Sequence, residues 1–145
     1  KTLPGLRFLQ KYAVTVGGGK NHRFNLSDGA MLKDNHIDAA GGIPAAVAAL
    51  RAKLGHMVKL EVETRSLAEV REALEAGADV IMLDNMDCPT MAEAVKLAAG
   101  RALLEASGGI TDETLRAVAE TGVDIISIGA LTHSVKALDI SMKIR

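Results

Sequence analysis

Four apolar residues in a row, Val80-Ile81-Met82-Leu83, stop abruptly at Asp84-Asn85, and this run constrains the fold more than any other stretch. A strand without alternation is apolar on both faces, so it belongs in a parallel sheet covered on both sides. The flanking sequence agrees. Upstream, Ser66 followed by Glu69 reads as a capping box, Leu67, Val70 and Leu74 as a buried stripe, and Gly77 as a stop. Downstream, Pro89 and Thr90 begin a helix that ends at Gly100, and Leu103 to Ala106 is a strand leading into Ser107-Gly108-Gly109. Thr111 then caps a helix running to Gly122, and Ile125 to Ile128 leads to Gly129.

The earlier chain extends the alternation. Leu3, Leu6, Leu9 and Tyr12 follow Pro4 at helical spacing, and Ala13 to Val16 reads as a short strand stopping at Gly17-Gly18-Gly19. Ala30 to Leu32 is a short strand ending in Lys33-Asp34-Asn35-His36, after which a polar connection is expected. Ile43, Val47, Leu50 and Leu54 mark one face of a helix ending near Gly55, and Val58 to Val62 is the next strand. There is an internal echo as well. Glu75-Ala-Gly77-Ala-Asp79-Val-Ile81 is matched by Glu120-Thr-Gly122-Val-Asp124-Ile-Ile126, each a helix end, a turn and a strand start, as in a barrel built by repetition. The expected fold is α/β: an incomplete, about six-stranded TIM-like barrel forming a single domain over 1–145, which is too short for a complete eight-unit barrel.

Composition excludes several functions. Lysines and arginines number 17 against 18 acids, and there are one Tyr, two Phe and no Trp, so nothing favours nucleic acid by charge or by base stacking. No stretch approaches the roughly 18 uninterrupted apolar residues of a membrane span. The single Cys88 cannot close an intrachain disulfide, which fits a reducing cytoplasm. The opening Lys1-Thr2-Leu3-Pro4-Gly5 has neither an initiator Met nor a signal-peptide core, as expected of a cut inside a longer protein.

Ligands of parallel α/β folds bind at the carboxyl ends of the strands. Those ends read Gly17-Gly18-Gly19, Lys33-Asp34-Asn35, Glu61 and Glu63, Asp84-Asn85, Ser107-Gly108-Gly109, and Gly129. Each has an ordinary structural reading, but together they form an anion- and cation-handling set. Lys59, Glu61 and Glu63 share one strand face, which is expected to line the barrel interior, with Lys59 and Glu61 read as a structural ion pair and Glu63 as the functional carboxylate. Ser107-Gly108-Gly109 opens a helix whose free N–H groups attract anions, and Gly129 can add another N–H. Either glycine element alone serves a tight turn equally well; as a pair they point to phosphate. Lys1, His22, Arg23 and Lys33 suit a small ligand with several carboxylates. Gly17-Gly18-Gly19-Lys20 lacks P-loop spacing, His56 and Cys88 read as structural, and His36 and His133 sit on the site face without an assigned role.

The ordered motifs Lys1-Thr2-x-Pro4-Gly5-Leu6-Arg7, Gly17-Gly18-Gly19-x-Asn21-His22-Arg23, Leu32-Lys33-Asp34-Asn35-His36-Ile37, Glu61-Val62-Glu63, Leu83-Asp84-Asn85-Met86, Glu105-Ala106-Ser107-Gly108-Gly109-Ile110 and Ser127-x-Gly129-x-Leu131-Thr132 resemble the C-terminal domain of the quinolinate phosphoribosyltransferase (carboxylating nicotinate-nucleotide pyrophosphorylase) family across essentially the whole chain. The resemblance implies conversion of quinolinate and phosphoribosyl pyrophosphate to nicotinate mononucleotide, pyrophosphate and carbon dioxide, a step of NAD biosynthesis, with Mg2+ on the pyrophosphate. It assigns quinolinate binding to His22, Arg23 and Lys33, with Lys1 near the pyrophosphate and the substrate carboxylate. It assigns the ribose hydroxyls and the metal-bound diphosphate to Glu63 and Asp84, whose contact with the metal is mainly indirect, and the 5'-phosphate to Ser107, Gly108, Gly109 and Gly129. Lys1, Lys33, Glu63 and Asp84 are the implied catalytic set. The family's N-terminal α/β domain and an Arg immediately before Lys1 are absent from these residues. A homo-oligomer, dimer or higher, in which the partner's N-terminal domain completes the site is therefore implied, and little turnover by these residues alone. The alternatives are another phosphate-binding barrel enzyme, such as the molybdenum-transport-associated relative, and a non-catalytic ligand-binding fragment.

Overall fold

The structure, a computed structural model, describes residues 1–144. Its elements run α1 (Arg7–Val16), β1 (Ala30–Leu32), α2 (Asp34–Ala40), α3 (Ile43–Arg51), β2 (Leu60–Thr64), α4 (Leu67–Glu75), β3 (Val80–Asp84), α5 (Cys88–Ala98), β4 (Leu103–Ser107), α6 (Asp112–Glu120), β5 (Ile125–Ser127) and α7 (Ala130–His133). They group into two compact units, His22–Ile128 and the pair formed by Lys1–Asn21 with the chain from Gly129 onward.

The His22–Ile128 unit is one open sheet of five parallel strands in the order β1-β2-β3-β4-β5, with a helix or helix pair in every crossover. Residues in register point to the same side, so the pairings Met31↔Glu61, Glu63↔Met82, Met82↔Glu105 and Asp84↔Ser107 place these side chains on one face. The opposite face carries Leu60, Val62, Thr64, Ile81, Leu83, Leu104 and Ala106, all buried. Against it lie Ile43 and Val47 of α3, Val70, Ala73 and Leu74 of α4, Met91, Ala94 and Ala98 of α5, and Val118 of α6. Burying apolar area here contributes about 25 cal/mol per Å2, so this helix-covered layer dominates stability and leaves the other face to chemistry.

The capping signals hold. Ser66 Oγ accepts from Glu69 N–H, and the Glu69 carboxylate accepts in return from Arg65 N–H at 2.6 Å, one residue earlier than in the reciprocal box. Asp87 caps α5 through Thr90 N–H, with Pro89 in the first turn where no N–H is required. Three expectations are corrected. Ala13 to Val16 is not a strand: α1 continues through it and closes at Gly17-Gly18, where Gly19 N–H reaches Val14 O with Gly18 at φ +86°. Extending a nucleated helix costs little, and four alternating residues are too few to override it. The sheet accordingly has five strands rather than six. The polar connection after Lys33 contains α2, started by His36 Nδ1 accepting from Lys33 N–H and ended by Gly41 at φ +84°. The strand expected over Val58 to Val62 lies at Leu60–Thr64, because pairing with Ala30 and Asp79 fixes its start.

The other unit is described by itself. In it α1 lies beside α7, Thr132 Oγ1 donates to Lys1 O at 2.7 Å, and the Asn21 carboxamide donates to Lys11 O at 2.8 Å. Gln10 and Lys11 are the buried residues of α1, whereas Phe8, Leu9, Tyr12 and Val16 are exposed. Among the described residues no helix is long and apolar enough to cross a membrane.

Candidate active site

Parallel strands end on one edge, so Lys33 just past β1, Glu63 near the end of β2, Asp84 closing β3 and Ser107 closing β4 share that edge. Lys33 Nζ stands 3.3 Å from Glu63 Oε2, the lysine half-exposed and the carboxylate mostly covered. Asp84 lies two residues beyond Met82, the register partner of Glu63, and therefore on the same face. The β3–β4 ladder continues one residue past the strands: Asn85 adopts φ +53° and donates its N–H to Ser107 O at 2.8 Å. This lays the Asn85 carboxamide over the glycine loop. Gly108 and Gly109 have φ of +101° and +62°, and a Cβ on Gly108 would collide with the Asn85 carboxamide. Only glycine fits there, on steric and conformational grounds alike. Two successive left-handed residues ahead of α6 make a concave run of backbone suited to a phosphate.

His22 and Arg23 lie elsewhere on the polar face. His22 Nε2 is 3.0 Å from Glu61 Oε2 and 4.0 Å from Glu105 Oε1, and Ser127 Oγ donates to Glu105 Oε1. His22 Nδ1 accepts the Arg23 N–H at 2.8 Å, so Nε2 is the nitrogen that donates to Glu61. Arg23 Nη1 donates to Gly29 O at 3.0 Å, and Nη2 approaches Met31 Sδ. The hydrogen bond to the Glu61 carboxylate raises the His22 pKa above its ordinary value; burial opposes this, and the negative charges of Glu61 and Glu105 add to it. Burial pushes the Glu105 carboxyl up, and the neighbouring Glu61 charge reinforces this against the Ser127 hydrogen bond.

The expected Lys59–Glu61 pair is corrected here. Lys59 precedes β2 and is exposed, while buried Glu61 takes His22 as its partner. Lys33, Glu63, Asp84 and Ser107 come to one edge as expected, together with Gly108 and Gly109. Lys1 and Gly129 belong to the other unit, in which a Cβ on Gly129 would meet His133 Nε2 at 2.9 Å. His36 has a structural role as the partner of Lys33 N–H. Sequence reasoning gave no role to Glu105, although a lone charge in the apolar run Leu103-Leu104-Glu105-Ala106 was a usable signal. Among the described residues, His22, Glu61 and Glu105 are the group able to offer three ligand atoms within 4.8 Å of one another, but they already hold each other by hydrogen bond and charge.

An all-parallel α/β sheet with a lysine–carboxylate pair, an acidic strand end and a glycine loop along its carboxyl edge puts the chain in the class of α/β-barrel-type proteins, here as an open five-stranded sheet. The particular family follows from its relatives: the chain belongs to the family described as quinolinate phosphoribosyl transferase, C-terminal domain, matched over residues 1–143. It is 56% identical over 144 residues to a probable carboxylating nicotinate-nucleotide pyrophosphorylase of Bacillus subtilis, covering 99% of this chain and 50% of the relative. It is 51% identical over 162 aligned positions to a mitochondrial decarboxylating quinolinate phosphoribosyltransferase of Nicotiana tabacum, covering 99% of this chain and 46% of that one. The solved nicotinate-nucleotide pyrophosphorylase of Francisella tularensis superposes with a TM-score of 0.91 at 47% identity, over 97% of this chain and 50% of that chain. The chain thus spans about half the length of the curated relatives it matches.

Proposed function

We propose that the complete polypeptide transfers the phosphoribosyl group of phosphoribosyl pyrophosphate to quinolinate, releasing pyrophosphate and carbon dioxide and leaving nicotinate mononucleotide. The observation that carries this reading is the Lys33–Glu63 pair on the same strand-end edge as Asp84 and the Ser107-Gly108-Gly109 loop. Such an edge supplies, in order, a cation for a ring carboxylate, carboxylates for ribose hydroxyls, and backbone donors for a phosphate. Family membership supports this reading over the molybdenum-transport-associated relative and over a non-catalytic binding fragment.

In the proposed site Lys33, with Arg23 and His22 on the same side of the sheet, neutralises the quinolinate dianion and orients its ring nitrogen toward the ribose. Glu63 and Asp84 hold the ribose hydroxyls, and their negative charge stabilises positive charge developing at the sugar carbon as pyrophosphate departs. Ser107, Gly108 and Gly109 hold the 5'-phosphate. Mg2+ fits this donor set in an indirect role: Glu63 and Asp84 are hard oxygen ligands, and Lys33 already engages Glu63. When bound, the ion neutralises the diphosphate leaving group. A second copy of the polypeptide closing the site, and a cytoplasmic location in keeping with the single Cys88, complete the reading.

The test supplies the complete polypeptide with quinolinate, phosphoribosyl pyrophosphate and Mg2+ and follows the products. Nicotinate mononucleotide, pyrophosphate and carbon dioxide are expected in equal amounts. Pyrophosphate release without decarboxylation, or no consumption of quinolinate, would overturn the assignment.

A further inference from the structure

Glu61 on β2 and Glu105 on β4 are two nearly fully buried carboxylates whose strands are separated by β3, yet both approach one imidazole, that of His22. Backbones two strands apart lie roughly 10 Å from each other, so the two acids converge only by reaching inward from the same face. Stability does not account for them, because burying two carboxylates is costly and apolar residues would fill the space at lower free energy. His22, for its part, sits in a segment with no helix or strand, between α1 and β1, so regular backbone structure does not fix its ring. Contacts of its side chain do so, among them Glu61 Oε2 at Nε2, Glu105 Oε1 beyond it, and the Arg23 N–H at Nδ1. The last contact couples the ring to the backbone from which Arg23 extends. The Glu61 carboxylate is buried, with the His22 ring at Oε2 and the Glu105 carboxyl as its neighbours, so the His22 hydrogen bond is its charge-compensating contact.

We propose that Glu61 and Glu105, with Ser127 steadying Glu105, are positioning residues that lock the His22 ring and, through the His22 Nδ1 contact, the Arg23 backbone into the geometry that receives the carboxylated ring substrate. This rests on the proposed function for the identity of that substrate. The two acids touch no substrate themselves and act only through His22. Their removal therefore affects the carboxylate-bearing substrate and spares the phosphoribosyl donor.

The test is a cycle in the complete polypeptide with Glu61→Ala, Glu61→Gln, His22→Ala and the Glu61→Ala/His22→Ala double variant. Glu61→Ala raises the KM for quinolinate by about tenfold, the low end of what losing a hydrogen bond to a charged group costs, and leaves the KM for phosphoribosyl pyrophosphate unchanged. Glu61→Gln, which keeps an acceptor in place, recovers part of the loss. In the His22→Ala background Glu61→Ala adds nothing further. An equal rise for both substrates, or the same factor with and without His22, would overturn the proposal. A readout independent of turnover is the His22 Nε2–H resonance of the unliganded protein, expected to be protected from solvent exchange in the parent and lost in Glu61→Ala. If the parent consumes no quinolinate while this contrast persists, the functional reading fails and the positioning role stands; equal exchange in both proteins removes the positioning role itself.

Discussion

Asp79 and Asp124, partners in the internal echo, perform the same task at two places. Asp79 Oδ2 accepts from Leu60 N–H at 2.7 Å while Asp79 N–H donates to Leu60 O, and Asp124 repeats both bonds with Leu104. Each aspartate immediately precedes one strand and ties down the start of the strand before it. Leu60 and Leu104 are buried, so Asp124→Ala leaves a buried N–H unpaired and is expected to cost about 1–3 kcal/mol in urea unfolding. Burial pushes the Asp79 carboxyl up, but the Leu60 N–H and the Arg51 ion pair outweigh it and hold the pKa below 3.8. A folded-state pKa below the unfolded one adds stability above the unfolded value and loses it as pH falls through the folded value. The stability gap between the parent and Asp79→Asn is therefore expected to be constant near neutrality and to close with acid below about pH 3.8; a gap that widens on acidification would contradict the sign. At Gly108 an alanine meets both positive φ and the Asn85 carboxamide. Gly108→Ala is expected to lose about 1–2 kcal/mol from conformation alone, plus a steric part that Asn85→Ala relieves, measured as non-additive unfolding free energies.

At the scale of elements, legibility followed the strength of local signals. Helix α4 was readable from Ser66, Glu69 and a three-residue stripe because cap, pattern and stop agree, and Ser66→Ala is expected to cost about 1 kcal/mol of thermal or urea stability. Strand β3 is readable because the unbroken apolar run Val80 to Leu83 between a helix stop and a polar strand end suits a central parallel strand, although helices cover only one of its faces. The opening of the chain misled, since Ala13-Val14-Thr15-Val16 has strand-forming residues but continues a helix already begun. Strand β2 lies two residues later than its local pattern indicates, because its start is set by Asp79 and β1, neither local to it. The strand-end residues Lys33, Glu63, Asp84 and Ser107 were legible because chain order alone places the ends of parallel strands on one edge. The contacts of His22 were not, because Glu61 and Glu105 lie 39 and 83 residues away along the chain, a convergence no local pattern encodes.

For the whole molecule, the division of the sheet into a helix-covered apolar face and a polar face with a loaded edge connects sequence to chemistry. Under the proposed function, Lys33 and Arg23 belong to the substrate-ring side of that arrangement and Asp84 to the ribose and diphosphate side. Arg23→Ala and Lys33→Ala in the complete polypeptide are each expected to weaken quinolinate more than phosphoribosyl pyrophosphate, by about 1.5–3 kcal/mol for a lost charged contact. Asp84→Asn is expected to reverse that preference and to change the dependence on Mg2+ concentration; steady-state kinetics with each substrate varied in turn separates the two patterns. The most direct measurement is a crystal structure of the complete polypeptide with nicotinate mononucleotide bound. The phosphate is expected within hydrogen-bond distance of the Gly108 and Gly109 amides and the Ser107 hydroxyl, the ribose hydroxyls against Glu63 and Asp84, and the ring carboxylate toward Lys33. A nucleotide bound at the amino ends of the strands, or one whose phosphate avoids the glycine loop, would contradict the account.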